Sequence, residues 1–321
     1  MGGTACEALL KSKELSKRRA YSEERLAALR GRFSTEPVLD FPFATYFCAG
    51  SIGRKEAGPQ SDLDIFVLSD VSSMSRLRQF RVLSRIADLN DELNFPSFSD
   101  EMRYMKVYDT AQLIEDTGKP RDDSENSFTT RMLLILESAS VLNSDLYDQV
   151  VFKVCENYFR DNKGKKDFKL IFLINDLLRY WRTLCLNYEQ CRCDPSKPWR
   201  KKNINLKFSR LTTVFSTIAM LMVDNPQSAE SLVPSLKMTP LERLAKSVDS
   251  LGDSGLSADF PLFVRHYAAF LRIKDNPNPE RLLEMRDTKE KIVKSSDFIS
   301  DYFHRIFLDE KLKNYYRYLM I

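Results

Sequence analysis

The residues best equipped for chemistry lie between Tyr46 and Asp70, in the stretch YFCAGSIGRKEAGPQSDLDIFVLSD. Tyr46-Phe47-Cys48-Ala49 is a short apolar run of β-favouring character, ended by Gly50-Ser51. Ten residues separate Ser51 from Asp62-Leu63-Asp64, which runs directly into Ile65-Phe66-Val67-Leu68. Alternate residues of an extended strand share a face, so both carboxylates are expected to point the same way, roughly 7 Å apart. Carboxylates placed like this can hold divalent cations about 4 Å apart for in-line attack at phosphorus. Mg2+ takes oxygen ligands and completes its shell with water and substrate phosphate. Gly50 lets backbone approach a triphosphate closely, and Ser51 offers a hydroxyl and an N–H. Together these are the two halves of a phosphoryl- or nucleotidyl-transfer site.

The elements that must position these residues follow from the flanking pattern. The apolar runs on either side of Gly50-Ser51 and Asp62-Leu63-Asp64 read as two strands, the second carrying both aspartates. Residues 72–93 read as a helix capped at Ser72 or Ser73, with Leu77, Phe80, Leu83, Ile86, Ala87 and Leu93 as its buried stripe. Residues 102–108 alternate like a third strand, with Lys106 at mid-strand and the acids Asp100, Glu101 and Asp109 at its ends. Residues 5–32 read as an amphipathic helix, broken near Tyr21-Ser22, and the chain beyond Asp123 reads as nearly all helix, including 127–142. The expected fold is α+β: a small α/β domain with a mixed sheet, then a helical bundle. The expected segments are an N-terminal helical piece at 1–35, a catalytic domain at 36–125 and a helical domain at 126–321.

Gly50-Ser51, the ten-residue spacing and Asp62-x-Asp64 at an apolar strand resemble the signature of the DNA-polymerase-β-like nucleotidyltransferase superfamily. The variant Gly50-Ser51-Ile52-Gly53-Arg54-Lys55-Glu56 leading to Ser61-Asp62-Leu63-Asp64 is most similar to the PII-uridylyltransferase-like branch. The resemblance implies an enzyme that binds an NTP such as ATP with Mg2+ (or Mn2+) and transfers a nucleoside monophosphate to a hydroxyl of a protein or RNA acceptor. It implies Asp62 and Asp64 as metal-binding catalytic residues and a third carboxylate on a later strand, for which Asp109 is the candidate beside Asp100 and Glu101, the alternative being a site of two aspartates. Gly50, Ser51, Arg54 and Lys106 would face the nucleotide, Arg54 neutralising the departing pyrophosphate. Lys106 stands where the superfamily commonly carries the third acid. The second reading, from another class, is a catalytically weakened module that keeps the fold, binds nucleotide or a partner, and regulates.

In the helical part, Asp176, Arg179, Thr183 and Asn187 share one helix face by their spacing. Asp176 and Arg179 are accordingly nucleotide-binding candidates, with Tyr180 or Trp181 stacking on a base. An Asp–Arg pair beside a core tryptophan accounts for the same residues. Arg200, Lys201, Lys202, Lys207 and Arg210 form a basic tract that could guide RNA or triphosphate, or simply lie in solvent.

Composition bounds the rest. The 321 residues carry a net charge of +4, so a polyanionic partner is permitted without being demanded. Six cysteines lack zinc spacing and read as reduced thiols, and two histidines leave little for histidine chemistry. No apolar stretch of signal-peptide or membrane-spanning length is evident. The expectation is a protein with no membrane segment, located in the cytoplasm.

Overall fold

The computed structural model describes residues 4–98, 105–194 and 196–319. The chain divides into two compact units, Arg18–Arg160 and Met1–Lys17 with Asp161–Ile321.

The chain opens with helices α1 (Thr4–Leu10) and α2 (Lys13–Ser34). The break between them falls at Lys11-Ser12 rather than near Tyr21-Ser22. Then come β1 (Ala44–Cys48), the single turn α3 (Gly50–Gly53) and β2 (Ile65–Ser69). Next are α4 (Arg76–Glu92), β3 (Val107–Asp109), α5 (Thr110–Glu115) and α6 (Pro120–Ser124). Helix α7 (Ser127–Glu137), strand β4 (Ala139–Leu142) and helix α8 (Ser144–Tyr158) complete this unit.

The sheet is mixed, in the order β3-β2-β1-β4. β1 pairs antiparallel with β2 and with β4, whereas β2 and β3 are parallel. A parallel pair requires a crossover connection, and α4 lies in that connection. One face of the sheet presents Tyr46, Cys48, Ile65, Val67, Val107 and Val141 to a core shared with Leu26, Leu29 and Phe33 of α2 and Val82, Ile86 and Leu89 of α4. On the other face Phe47 stacks on Phe66 with centroids 5.1 Å apart, flanked by Tyr108 and Tyr147.

Three further elements, all in this unit, differ from the sequence reading. The expected helix 127–142 stops at Glu137, and Ala139–Leu142 becomes an edge strand on β1. The sheet therefore continues past residue 125. Helix α4 is capped by Ser75, whose hydroxyl accepts the Arg78 N–H. Its buried stripe runs through Val82, Ile86 and Leu89, leaving Leu77 and Phe80 in solvent at 61% and 58% exposure. Of the expected third strand, residues 102–104 lie outside the described residues; the observed strand is Val107–Asp109.

A buried ion pair holds the helices after β3. Arg131 of α7 is fully buried and grips Asp122 of α6 through two hydrogen bonds. It also donates to the Leu113 carbonyl of α5 and the Tyr158 hydroxyl of α8.

The second unit is helical. It contains α9 (Ile171–Arg192) and α10 (Trp199–Asn205), which runs through a π-helical turn at Leu206–Arg210 into α11 (Leu211–Asp224). There follow α12 (Ala229–Leu236), α13 (Pro240–Leu251), α14 (Ser254–Lys274), α15 (Pro279–Glu284), α16 (Arg286–Phe307) and α17 (Lys313–Leu319). Helix α12 was not foreseen. The continuous helix Trp199–Asp224 is long and apolar enough to cross a membrane by length and composition, but most of its apolar window is buried within the protein. Its core partners are aromatic: Phe208 stacks on Phe270 at 4.8 Å, and Phe260, Phe263, Tyr267 and Tyr302 continue the cluster. α1 belongs to this unit because Asp249 of α13 accepts the backbone N–H groups of Ala5 and Cys6.

Removing one partner of a buried ion pair leaves the other charge uncompensated, at a cost of about 3–5 kcal/mol. Arg131→Met is therefore expected to destabilise the sheet unit by about that amount in urea denaturation. Arg131→Met with Asp122→Leu should recover most of the loss.

Candidate active site

The structure brings Gly50 and Asp64 into contact. Asp64 donates no strand residue to β2, which begins at Ile65, so the two aspartates occupy the extended lead-in rather than the strand itself. Its backbone nonetheless prolongs the β1–β2 ladder: the Ala49 N–H donates to the Asp64 carbonyl at 2.8 Å. Gly50 has φ of +66°, and a Cβ built there would lie 2.2 Å from Asp64 Oδ2. Glycine is required twice over, for the left-handed backbone and for room beside the carboxylate. Asp62 and Asp64 are both half-buried. The connecting loop is fixed by Ser61, whose hydroxyl accepts the Gly58 N–H at 3.1 Å.

Behind this turn sits a buried cluster that the sequence did not reveal. Arg54 Nε donates to Glu56 Oε2 at 2.9 Å, and its terminal NH1 pairs with Glu137 at the end of α7. All three side chains are buried, Arg54 and Glu56 at 3% exposure and Glu137 at 1%. Gly53 packs so closely on α7 that a Cβ would lie 1.9 Å from the Glu137 carbonyl oxygen. Arg54, expected to face the pyrophosphate, is instead the internal counter-ion of two carboxylates. A phosphate could recruit it only by breaking that pairing.

Lys106 and Asp109 are also placed otherwise than expected. β2 and β3 pair through Val67↔Val107 and Ser69↔Asp109. Asp109 is thus level with the far end of β2, roughly 17 Å along the strand from Asp64 at 3.3 Å per residue. Its carboxylate caps α5 by accepting the Ala111 N–H at 2.9 Å. It does not join Asp62 and Asp64. Lys106 precedes Val107 by one position, on the face shared by Tyr108 and Phe66, as strand alternation requires. Its ammonium donates to the Glu125 carbonyl at 2.7 Å and pairs with Glu125 Oε2 at 3.1 Å. Asp100 and Glu101 lie outside the described residues. Among the described residues no group of three His, Cys, Asp or Glu could hold a metal ion.

The remaining candidates belong to the helical unit. Asp176 is buried on α9, with Arg179 NH1 3.7 Å from Oδ1. Trp181 packs edge-on against Phe215 at 5.3 Å, and Tyr180 is buried. The basic tract is partly neutralised: Arg200 lies 3.6 Å from Glu280 and 3.2 Å from Glu284, and Glu280 accepts the Lys201 N–H.

Burial also governs the cysteine beside the turn. Loss of solvent pushes the Cys48 thiol up to about 12, and the Cys155 thiol likewise to about 12. Both are neutral, poor nucleophiles at physiological pH.

A mixed sheet with a Gly-Ser turn after its first strand and Asp-x-Asp before its second defines a domain of the polymerase-β-like nucleotidyltransferase fold. Comparison with known families agrees: residues 39–124 match the model of the nucleotidyltransferase domain. The chain carries such a domain in its N-terminal part. No curated protein and no solved structure matches the chain.

Two outcomes follow from this geometry. Gly50→Ala should cost about 1–2 kcal/mol from its left-handed backbone alone and displace the Asp64 carboxylate as well. Gly31→Ala, in the open on α2, should be neutral or mildly stabilising; urea titration of both variants checks this. In native protein at pH 8, a thiol reagent should label exposed Cys193 first and reach Cys48 and Cys155 only after denaturation, as read by peptide mass spectrometry.

Proposed function

We propose that the Arg18–Arg160 unit is a metal-dependent nucleotidyltransferase that moves a nucleoside monophosphate from an NTP to a hydroxyl of a protein or RNA acceptor. The observation that carries this reading is the contact between Gly50 and the Asp64 carboxylate, which joins the phosphate-side turn to the metal-side acids. Two carboxylates of hard oxygen donors suit Mg2+, which commonly takes one or two protein carboxylates and fills its shell from substrate phosphate and water. Asp62 and Asp64 would hold it. When bound, it would neutralise charge on the triphosphate. Gly50 leaves the backbone open to a phosphate oxygen, and Ser51 supplies an N–H and a hydroxyl there. The buried Arg54–Glu56–Glu137 cluster keeps the turn in register with the aspartates, so most of the rate would come from positioning. Likeness to the uridylyltransferase branch favours a hydroxyl on a protein as acceptor.

A second reading has its own support. Lys106, paired with Glu125, lies one position before β3 on the face of Tyr108, where a third acid would complete the site. This favours a module that binds nucleotide and regulates, with little or no transfer.

Incubation with each α-32P-labelled NTP and Mg2+ or Mn2+, alone and with RNA or cell lysate, separates the two. Transfer should label an acceptor and release pyrophosphate, and Asp62→Asn with Asp64→Asn should reduce it by at least about 100-fold. Thermal stabilisation by NTP with no labelled product under any condition would favour the regulatory module. Retention of nucleotide and metal binding by the double variant would reject the site itself.

A further inference from the structure

We infer that the sheet unit has a protein-docking surface at the end of the sheet remote from Asp64, suited to a segment of apolar and acidic residues. The exposed large hydrophobic residues described in this unit are Val38, Phe43, Leu77 and Phe80, at 36%, 55%, 61% and 58% exposure. They lie on two adjoining segments. Asp70 donates its N–H to the Phe43 carbonyl at 3.3 Å, extending the pairing of Ala44 with Ser69. Arg78 of α4 donates to the Asp40 carbonyl at 2.8 Å, and its guanidinium lies 4.6 Å from the Phe41 ring centroid. Phe41 in turn meets Phe43 edge-on at 5.7 Å.

Basic residues predominate on the α4 side of this patch, while the exposed acids Asp40 and Asp70 lie at its edge. Arg76, Arg78 and Arg81 stand among Leu77 and Phe80, and no ion pair engages them among the described residues. Arg85, one turn further along, is held by Glu36 and Glu92 instead. The nearby Asp70 carboxylate is occupied by Ser72 and Ser73. Apolar side chains rimmed by arginine are the composition of a protein interface centre, where arginine and aromatic residues are enriched. A carboxylate-bearing partner would complement the guanidinium groups. Two of the four apolar residues are aliphatic, and nucleobases stack on aromatic faces, so the composition favours protein over single-stranded RNA. β2 separates this end from Asp64 by its full length, so a docked partner leaves Gly50, Asp62 and Asp64 open.

The test uses the full-length chain as bait for a displayed library of random 16-residue peptides, counter-selected against Leu77→Asp with Phe80→Asp. The selected peptides should combine at least two large apolar residues with at least two Asp or Glu. A synthetic representative should bind the native chain in fluorescence anisotropy at least tenfold more tightly than Leu77→Asp with Phe80→Asp, or than Arg76→Glu with Arg81→Glu. The second pair is purely a charge change on exposed positions and serves if the first fails to fold. No enrichment, enrichment of basic or neutral peptides, or equal binding to both variants would overturn the proposal. Binding of a fluorescein-labelled U20 RNA that is lost in the Leu77→Asp, Phe80→Asp variant would reassign the surface to RNA. A dimer in sedimentation velocity, dispersed by the same variant, would reassign it to a second copy of this chain.

Discussion

Arg54 holds three separate pieces of backbone together: the turn that ends α3, the loop at Glu56 and the end of α7 at Glu137. Burying a guanidinium among carboxylates gives little net stability, because desolvation offsets most of the attraction. Its effect is positional. With the cluster intact, Gly53 seats against the Glu137 carbonyl, β4 leaves α7 at the correct point to pair with β1, and Gly50 meets Asp64. A one-residue slip anywhere along this path would move Gly50 off the aspartate. The turn is therefore defined by a contact 83 residues away in sequence, not by its own sequence alone.

The parts of the site that were legible in the sequence are those fixed by local rules. The Gly50-Ser51 turn and the nearness of Asp64 to it stand out because they depend on residues close in sequence, although Asp62 and Asp64 lie in the extended lead-in and not on the strand that alternation led one to expect. What was not legible depends on distant partners. Arg54 reads as a phosphate ligand until Glu137 is seen beside it. Lys106 reads as a nucleotide ligand until Glu125 is seen beside it, and Arg200 as part of a tract open to RNA or triphosphate until Glu280 and Glu284 of α15 pair with it.

Misplaced elements have the same origin. Ala139-Ser140-Val141-Leu142 is too short to announce a strand, and the apolar helix before it carries the helical pattern forward. Only the edge of β1, with Arg30 of α2 donating to the Ser140 carbonyl, makes it β4. In α4 two apolar stripes overlap, one through Leu77, Phe80 and Leu83, the other through Val82, Ile86 and Leu89. Periodicity alone cannot rank them. The sheet chooses the second, since Ile65 and Val67 point toward Val82, Ile86 and Leu89.

That choice has a consequence for how the unit is divided. Once the second stripe is buried, Leu77 and Phe80 of the first face outward at the amino end of α4, while Leu83 still packs against the core, and the crossover topology places that end beside Ser69 rather than beside Asp64. A parallel β2–β3 pair obliges α4 to begin at the carboxyl end of β2 and return along the sheet. Chemistry-bearing residues gather where β2 starts, and exposed apolar and basic residues gather where it ends. The separation is a product of strand order, so no substitution on one end needs to disturb the other.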